Sequence, residues 1–183
     1  MKPEVWTAVA TILLVVVTAL LALIAYLQIR TTQRQLRAYV FPLGAELQKL
    51  NAGDVPEYRV VIQNAGQTPA YSLRHIDRFA LVEFPLKEPL PEAVASKNFT
   101  RTHLGPGREA RKIGIAPAPL TANAIDRLKQ GTAAIYAYGI IDFVDAFKKP
   151  RWVKYRYMTG GNVGFQSDGK LVICEDGNET SDD

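Results

Sequence analysis

The sequence predicts a mainly β protein: an immunoglobulin-like β-sandwich with one short helix, preceded by a single transmembrane α-helix. Three observations lead to this prediction. The run from Val5 to Ile29 contains no charged residue and no His, Pro or Gly. Every proline except Pro3 follows Ala38. In that part of the chain, short β-branched and aromatic runs alternate with Gly, Pro, Asn and Asp, which is typical of antiparallel sandwiches.

Composition divides the chain into four parts. A transmembrane anchor is predicted over 1–29, a basic juxtamembrane helical stalk over 30–37, the β-sandwich over 38–174 and an acidic disordered tail over 175–183. A helix rises about 1.5 Å per residue, so the apolar run is long enough to cross a hydrocarbon core of about 30 Å. A cleaved signal peptide is the alternative, but no Ala-x-Ala-like site follows the run, which favours a retained anchor.

Aromatic and basic residues flank the predicted span. Trp6 and Tyr26 suit the two membrane interfaces. Three cations follow the span, Arg30, Arg34 and Arg37. Because only Lys2 and the terminal amine precede it, the positive-inside rule favours a cytoplasmic location for the large domain. The same arginines suit anionic head groups, so the lipid bilayer is the first expected partner.

Period-two patterns and turn residues place the elements of the sandwich. Strands are predicted over 39–50, 58–63, 70–75, 79–84, 100–104, 108–115, 132–141 and 151–158, with a final hairpin joining 165–166 to 170–174. Thr121 is a suitable N-cap for a helix over 122–130, which Gly131 would end.

The turn after the second predicted strand has a structural interpretation. Asn64 ends the strand, Gly66 permits a left-handed or otherwise strained backbone, and Pro69 fixes its own φ while keeping Thr68 extended. The sequence favours a structural turn at Asn64, Gly66, Thr68 and Pro69 over the alternative, a ligand-binding loop.

Three segments resemble uncharacterised bacterial proteins with one N-terminal transmembrane helix and a soluble β-sandwich domain. The segments are Leu36-Arg37-Ala38-Tyr39-Val40, Asn64-Ala65-Gly66-Gln67-Thr68-Pro69-Ala70, and residues 138–147 followed by Arg151. In the third, those proteins usually read Tyr-x-Asp-x-Phe-Gly, whereas here Phe143 precedes Val144-Asp145 and Lys148 replaces the Gly. The resemblance implies a single-pass protein of the bacterial inner (plasma) membrane and implies no chemistry.

Two acidic and histidine-containing patterns are the candidates for chemistry. His75 and Asp77 share one face of a strand, and Asp142 with Asp145 forms an acidic pair beside an expected turn. A zinc site needs three or four clustered ligands, and the chain has two His and one Cys. The favoured interpretation is a strand-edge His75 satisfied by solvent or a carboxylate, an exposed His103, and turn-capping aspartates.

No nucleophile or nucleotide motif appears in the sequence. No serine lies in Gly-x-Ser-x-Gly, no phosphate or dinucleotide loop is present, and Cys174 has no His near it in sequence. The sequence therefore predicts no catalytic, cofactor-binding or metal-binding residue, no cofactor and no small-molecule substrate. The chain is not expected to be an enzyme.

The basic residues form two loose groups in a chain of net charge +4. One group is Arg108, Arg111 and Lys112, and the other is Lys148, Lys149, Arg151, Lys154 and Arg156. A solvated face explains this pattern, lipid contact is the alternative, and nucleic acid is not expected as a partner.

These inferences predict a membrane-anchored, non-catalytic interaction or scaffolding module. A protein partner would bind by strand addition to a sheet edge or by packing on the span. One alternative is an accessory subunit of a larger membrane complex. Another is a hydrolase or metal-binding domain, which would require a pocket that joins His75 or His103 to Asp77, Asp142 or Asp145.

Overall fold

The computed structural model describes residues 3–93 and 101–181, and the chain forms two compact units, Met1–Arg37 and Ala38–Asp183. Helix α1 (Pro3–Leu36) makes up the first unit. Its segment Trp6–Leu36 is long and apolar enough to span a membrane. The helix continues without a break to Leu36, through all of the predicted stalk except Arg37.

Threonine hydroxyls inside α1 bond to the helix itself. Thr11 Oγ1 donates to the carbonyl of Thr7 at 2.8 Å, and Thr18 Oγ1 donates to the carbonyl of Leu14 at 2.8 Å. Such back-bonding satisfies hydroxyl donors that would otherwise be costly in lipid. These two threonines therefore do not require a second helix as a hydrogen-bond partner.

The second unit is mainly β, as predicted. Its strands are β1 (Val40–Gln48), β2 (Glu57–Asn64), β3 (Ala70–Glu83), β4 (Thr102–Leu104), β5 (Glu109–Ile115), β6 (Ala133–Val144), β7 (Pro150–Gly160), β8 (Lys170–Ile173) and β9 (Glu179–Thr180). Helix α2 (Ala122–Lys129) lies between β5 and β6, and Thr121 Oγ1 caps it by accepting from Ala124 N–H at 3.1 Å.

The strands form one continuous antiparallel path in the order β4-β3-β6-β7-β8-β1-β2-β5, with β9 added to β7. Strand β8 joins the two halves of the path because it pairs with both β7 and β1. The path curves until β3 and β5 approach each other, so the sheet is nearly closed. The predicted immunoglobulin-like arrangement of two separate sheets is not confirmed.

Strand β3 is one long strand where the sequence predicted two. Its pairing with β6 continues from Arg74 to Glu83 across the residues left as a gap. Asp77 lies in that gap and its side chain is only 7% exposed. Asp77 is accommodated within the strand because Tyr58 of β2 and Lys112 of β5 interact with its carboxylate.

Two apolar clusters hold the domain together. The larger lies inside the curved sheet and includes Val60, Ile62, Leu73, Ile135 and Tyr155. The smaller lies on the outer face of β6 and β7, where residues 84–90 pack over Tyr136, Tyr138 and Met158. Strand β6 is therefore covered on both faces, which explains its near-continuous apolar burial.

The segment predicted as a disordered acidic tail is placed against β7 as far as Ser181. Lys154 Nζ donates to Glu179 at 2.9 Å, and Ser181 N–H donates to the carbonyl of Trp152 at 2.9 Å. Composition alone did not indicate this placement, because Lys154 and Glu179 are 25 positions apart in the chain.

Candidate functional site at the open seam of the sheet

A seam separates β3 from β5 where the sheet approaches closure. Strand β4 pairs with β3 only near Ala70 and Leu73, and β5 is bonded to β2 alone among the described residues. Between Arg74 and Glu83, β3 is therefore paired on its β6 side only in the described part of the chain. We call this unpaired line between β3 and β5 the seam.

Beside the seam lies a polar cluster made of Tyr58, His75, Asp77, Lys112 and Tyr155, in which the two tyrosines are buried and Lys112 is exposed. His75 Nε2 is 2.7 Å from the hydroxyl of Tyr155, and the two rings meet edge to face at 5.5 Å. Tyr155 is 1% exposed. The partner of His75 is thus a buried phenol, whereas the sequence favoured solvent or a carboxylate.

Asp77 is the charged centre of the polar cluster. Lys112 Nζ reaches to 3.8 Å from Asp77 Oδ1 across the seam. Burial, and then a hydrogen bond to Asp77, raise the pKa of Tyr58, so its phenol remains protonated. Burial also raises the pKa of Tyr155 well above its ordinary value. These polar side chains are satisfied within the cluster, which is typical of a structural network.

Two glycines make room for the aromatic members of the polar cluster. A side chain at Gly139 would come within 2.8 Å of the Tyr155 hydroxyl and 2.2 Å of the carbonyl of Ile76. A side chain at Gly114 would come within 2.1 Å of the Tyr58 ring. The strand patterns did not indicate this requirement, because both glycines lie inside strands and not in turns.

His75 makes the stability of the fold depend on pH. Its pKa is lowered to about 4, mainly because burial disfavours the charged ring, with Lys112 acting in the same direction and Asp77 opposing. An unfolded chain would bind this proton near pH 6.5. The contribution of His75 to the free energy of unfolding is therefore fully present above pH 6.5. It is lost as the pH drops towards 4, by about 3 kcal/mol in total.

We expect His75→Gln to remove this part of the pH dependence, because glutamine can bond to the Tyr155 hydroxyl without titrating. The measurement is the free energy of unfolding at pH 7 and pH 4.5 for the full chain in mild detergent. Between pH 7 and pH 4.5, the free energy of unfolding should fall by roughly 2.5 kcal/mol less in the variant than in wild type. His103→Gln, at an exposed position, is the control; parallel curves for wild type and His75→Gln would contradict the assignment.

The other candidate residues lie apart from the polar cluster. Arg74 Nε donates to both carboxylate oxygens of Asp142, at 3.0 and 2.8 Å, across β3 and β6. His103 is exposed and its Nδ1 accepts from Ser72 N–H at 3.2 Å. Asp145 instead organises the β6–β7 loop, so the predicted acidic pair is divided between two structural roles.

Metal and nucleophile chemistry find no support in the described residues. No group of three or more His, Cys, Asp or Glu side chains that could hold a metal ion occurs there. Cys174 is partly buried, and burial raises the pKa of its thiol to about 11. The thiol is therefore protonated near neutral pH and is a poor nucleophile.

One edge of β5 is not paired with another strand in the described residues. Asn64 N–H donates to the carbonyl of Arg108 at 3.1 Å. Ala116 N–H donates to the carbonyl of Pro56 at 2.8 Å. Even-numbered residues of β5 therefore bond to β2, and backbone groups of the alternate residues point away from β2. These outward groups belong to Glu109, Arg111, Ile113 and Ile115. We call these four residues the β5 edge.

Side chains of the β5 edge are exposed. Ile113 is 58% and Ile115 67% exposed, although aliphatic residues of a strand normally pack on a core. Arg111 places a positive charge on the same face. An edge with free backbone groups and outward aliphatic side chains is a template for pairing with another strand.

The 64–70 turn is held together by the side-chain hydrogen bonds of Asn64. Asn64 is fully buried, and its Oδ1 accepts from the N–H groups of Tyr39 and Gly66 at 3.1 and 3.0 Å. Its Nδ2 donates to the carbonyls of Thr68 and Leu104 at 2.8 and 3.0 Å. Asn64 thus ties the start of β1 to two loops.

Two details of this turn were not indicated by the sequence. The left-handed residues near it are Ser72 and Gly107, with φ of 49° and 67°, and not Gly66. Thr68 Oγ1 is buried without a hydrogen-bond partner in the described residues. Gly66 is buried, and its backbone N–H is held by the Asn64 side chain.

The predicted membrane-interface residues lie on the exposed surface of α1. Trp6 and Tyr26 are both exposed, and the Arg30 guanidinium lies 4.9 Å from the centre of the Tyr26 ring. Arg34 lies in the last turn, where a cation favours the helix dipole. Arg37 follows the helix and ends the first unit.

Comparisons with known proteins place the chain in a family. No curated protein matches it. A crystal structure of a Bordetella pertussis protein provisionally named ApaA is similar with 13% identity and a TM-score of 0.38, covering 68% of this chain and 95% of that one. That likeness is too weak to indicate a shared fold or function. A family model matches residues 5–152, and the chain therefore belongs to the family described as "Domain of unknown function (DUF8453)".

Proposed function

We propose that the chain is a single-span protein of the bacterial plasma membrane whose β domain is a non-catalytic interaction module. It binds an extended segment of a protein partner by strand addition at the β5 edge. The observation that carries this proposal is the row of outward backbone groups on β5, which has no ladder partner among the described residues. Main-chain bonds would supply affinity in this mode, and side-chain contacts would supply specificity.

Side chains of the β5 edge indicate the chemistry of the partner segment. Ile113 and Ile115 present exposed aliphatic surface, so the added strand should carry apolar residues on the same face. Arg108 and Arg111 outnumber Glu109, so an acidic residue near that end would be favoured. The expected partner segment is extended, with alternate apolar residues and at least one acidic residue.

The sidedness of the domain forms part of the proposal. Arg30, Arg34 and Arg37 follow the apolar run, and this excess of positive charge supports a cytoplasmic domain. Anionic lipid head groups would then lie beside the same arginines. The non-catalytic assignment is supported by the internal pairing of His75 with Tyr155 and by the protonated Cys174 thiol.

Site-specific photocrosslinking in bacterial cells tests the proposal. A photoreactive amino acid at position 113 or 115 of the full chain should give a crosslinked protein adduct. The same probe at Ile173, which is 56% exposed on β8, is the matched control and should not give that adduct. An identical adduct from all three positions, or none from 113 and 115, would contradict strand addition.

A proline variant separates backbone pairing from simple apolar contact. Ile113→Pro removes an N–H that points away from β2, so the fold should tolerate it as edge prolines are tolerated. Ile113→Thr shortens the apolar side chain and keeps the N–H. With the probe at position 115, Ile113→Pro should abolish the adduct, whereas Ile113→Thr should only reduce it.

A further inference from the structure

A groove of about 300 Å³ lies on the outer face of β6 and β7. Tyr138, Ile140 and Arg156 line its floor, residues 90–93 form one wall, and the turn that contains Gly177 forms part of the other. Tyr138 lies directly opposite Arg156 in the pairing of the two strands. The β5 edge takes no part in this groove.

Arg156 is an incompletely satisfied cation in the groove. Its Nε is buried and has no hydrogen-bond partner in the described residues. None of the ion pairs formed within the described part of the chain involves its guanidinium, although Lys154 on the same strand pairs with Glu179 at 2.9 Å. Leaving a buried donor unsatisfied is unfavourable, and more so when the group is charged.

The fold holds the backbone of Arg156 in place. Its carbonyl accepts from Cys174 N–H at 2.9 Å, and its N–H donates to Asn178 Oδ1 at 3.0 Å. Gly177 lies so close to the guanidinium that a side chain there would come within 2.6 Å of Cζ and Nε. The backbone of Arg156 is therefore fixed, and the Gly177 turn restricts the space around its guanidinium, which lowers the entropic cost of binding.

The charges around the groove restrict the ligand. Lys154 is neutralised by Glu179, and Glu92 adds a second carboxylate to the lining. Once Lys154 and Glu179 are paired, Arg156 is the one remaining cation of the lining and Glu92 the one remaining acid. This balance disfavours a phosphate dianion and suits a ligand with a single negative charge, such as a carboxylate, which accepts well from a guanidinium. Leu90, Tyr138 and Ile140 offer apolar surface beside this cation.

We propose that this groove binds an organic carboxylate that has an apolar body. The carboxylate oxygens accept from Arg156, and the apolar body packs against Tyr138 and Ile140. A free carboxylic acid and the C-terminal carboxylate of a peptide share this chemistry. The proposal does not depend on strand addition, because the groove and the β5 edge share no residue.

Nuclear magnetic resonance of the arginine Nε–H groups tests the proposal on the isotopically labelled full chain in detergent micelles. Sodium benzoate, added at constant ionic strength against sodium chloride, should shift the Arg156 Nε–H signal to saturation. Benzamide, which keeps the ring and lacks the charge, should not. Acetyl-phenylalanine tests the peptide source: tighter binding than benzoate supports a peptide C-terminus, and weaker binding supports a free acid.

Variants complete the test. Arg156→Gln should weaken benzoate binding by about tenfold or more, whereas Lys154→Gln should change it by less than about threefold. If Arg156→Gln does not fold, the benzoate and benzamide comparison on the wild-type chain still decides the question. A linear shift without saturation, an equal response to benzamide, or an equal loss in Lys154→Gln would overturn the proposal.

Discussion

Asn64→Ala should destabilise the domain by about 4 kcal/mol, because four side-chain hydrogen bonds are lost at once. Each bond joins Asn64 to a backbone group, and Asn64 itself is fully buried. Water cannot readily replace the lost partner in the unchanged fold. The measurement is equilibrium urea unfolding of the full chain in mild detergent, followed by near-ultraviolet circular dichroism.

Two further variants define the Asn64 prediction. Asn64→Asp keeps an oxygen towards Tyr39 and Gly66 but turns a second oxygen towards the carbonyls to which Nδ2 donates. This variant should therefore also lose much of its stability. Asn51→Ala is the matched control, because Asn51 is exposed and its side chain bonds to Asp54. We expect the control to change stability by about 0.5 kcal/mol or less. A loss below about 1 kcal/mol for Asn64→Ala would show that Asn64 does not organise the fold.

Asp145→Ala should cost about 3–5 kcal/mol, since it removes one side of a buried ion pair. Asp145 is 1% exposed, and its Oδ2 accepts from Arg151 Nε at 3.3 Å. Its Oδ1 accepts from the N–H groups of Phe147 and Lys149, both at 2.9 Å. The alanine variant removes these acceptors and leaves the Arg151 charge buried without this carboxylate.

The control for Asp145 is another turn aspartate. Asp168 is exposed, accepts from Lys170 N–H at 3.1 Å and pairs with the Lys170 ammonium at 3.4 Å. Asp168→Ala should lower stability far less than Asp145→Ala by the same urea measurement, since exposed pairs contribute little. Asp145→Asn should fall between the two because it keeps the shape and loses the charge. Equal losses for Asp145→Ala and Asp168→Ala would contradict the buried-pair account.

The sequence supported those parts of the fold that local patterns determine. The apolar run of α1, the Thr121 cap of α2 and the period-two strand β2 were visible because each depends on neighbouring residues. Strand β3 was predicted as two strands, over 70–75 and 79–84, and the residues between them include the polar Asp77. Its partner Lys112 lies on β5 and is brought there only by the closure of the sheet.

The candidate site was visible only in fragments. His75 and Asp77 were identified by their spacing, but Tyr155 looked like an ordinary core aromatic and lies 80 positions from His75 in the chain. The β5 edge depends on strand order, which period-two patterns do not specify. Arg156 looked like one member of a basic group, and only the structure shows that Lys154 is paired while Arg156 is not.

The central claim is that β5 offers free backbone groups to a partner strand, and residue-resolved amide hydrogen exchange tests it without knowledge of the partner. In the full chain in detergent micelles, the amides of Lys112 and Gly114 should be protected by β2. The amides of Arg111, Ile113 and Ile115 should exchange at least about tenfold faster, because they point away from β2. Equal protection of the two sets would show that the edge is already paired and would contradict the proposed function.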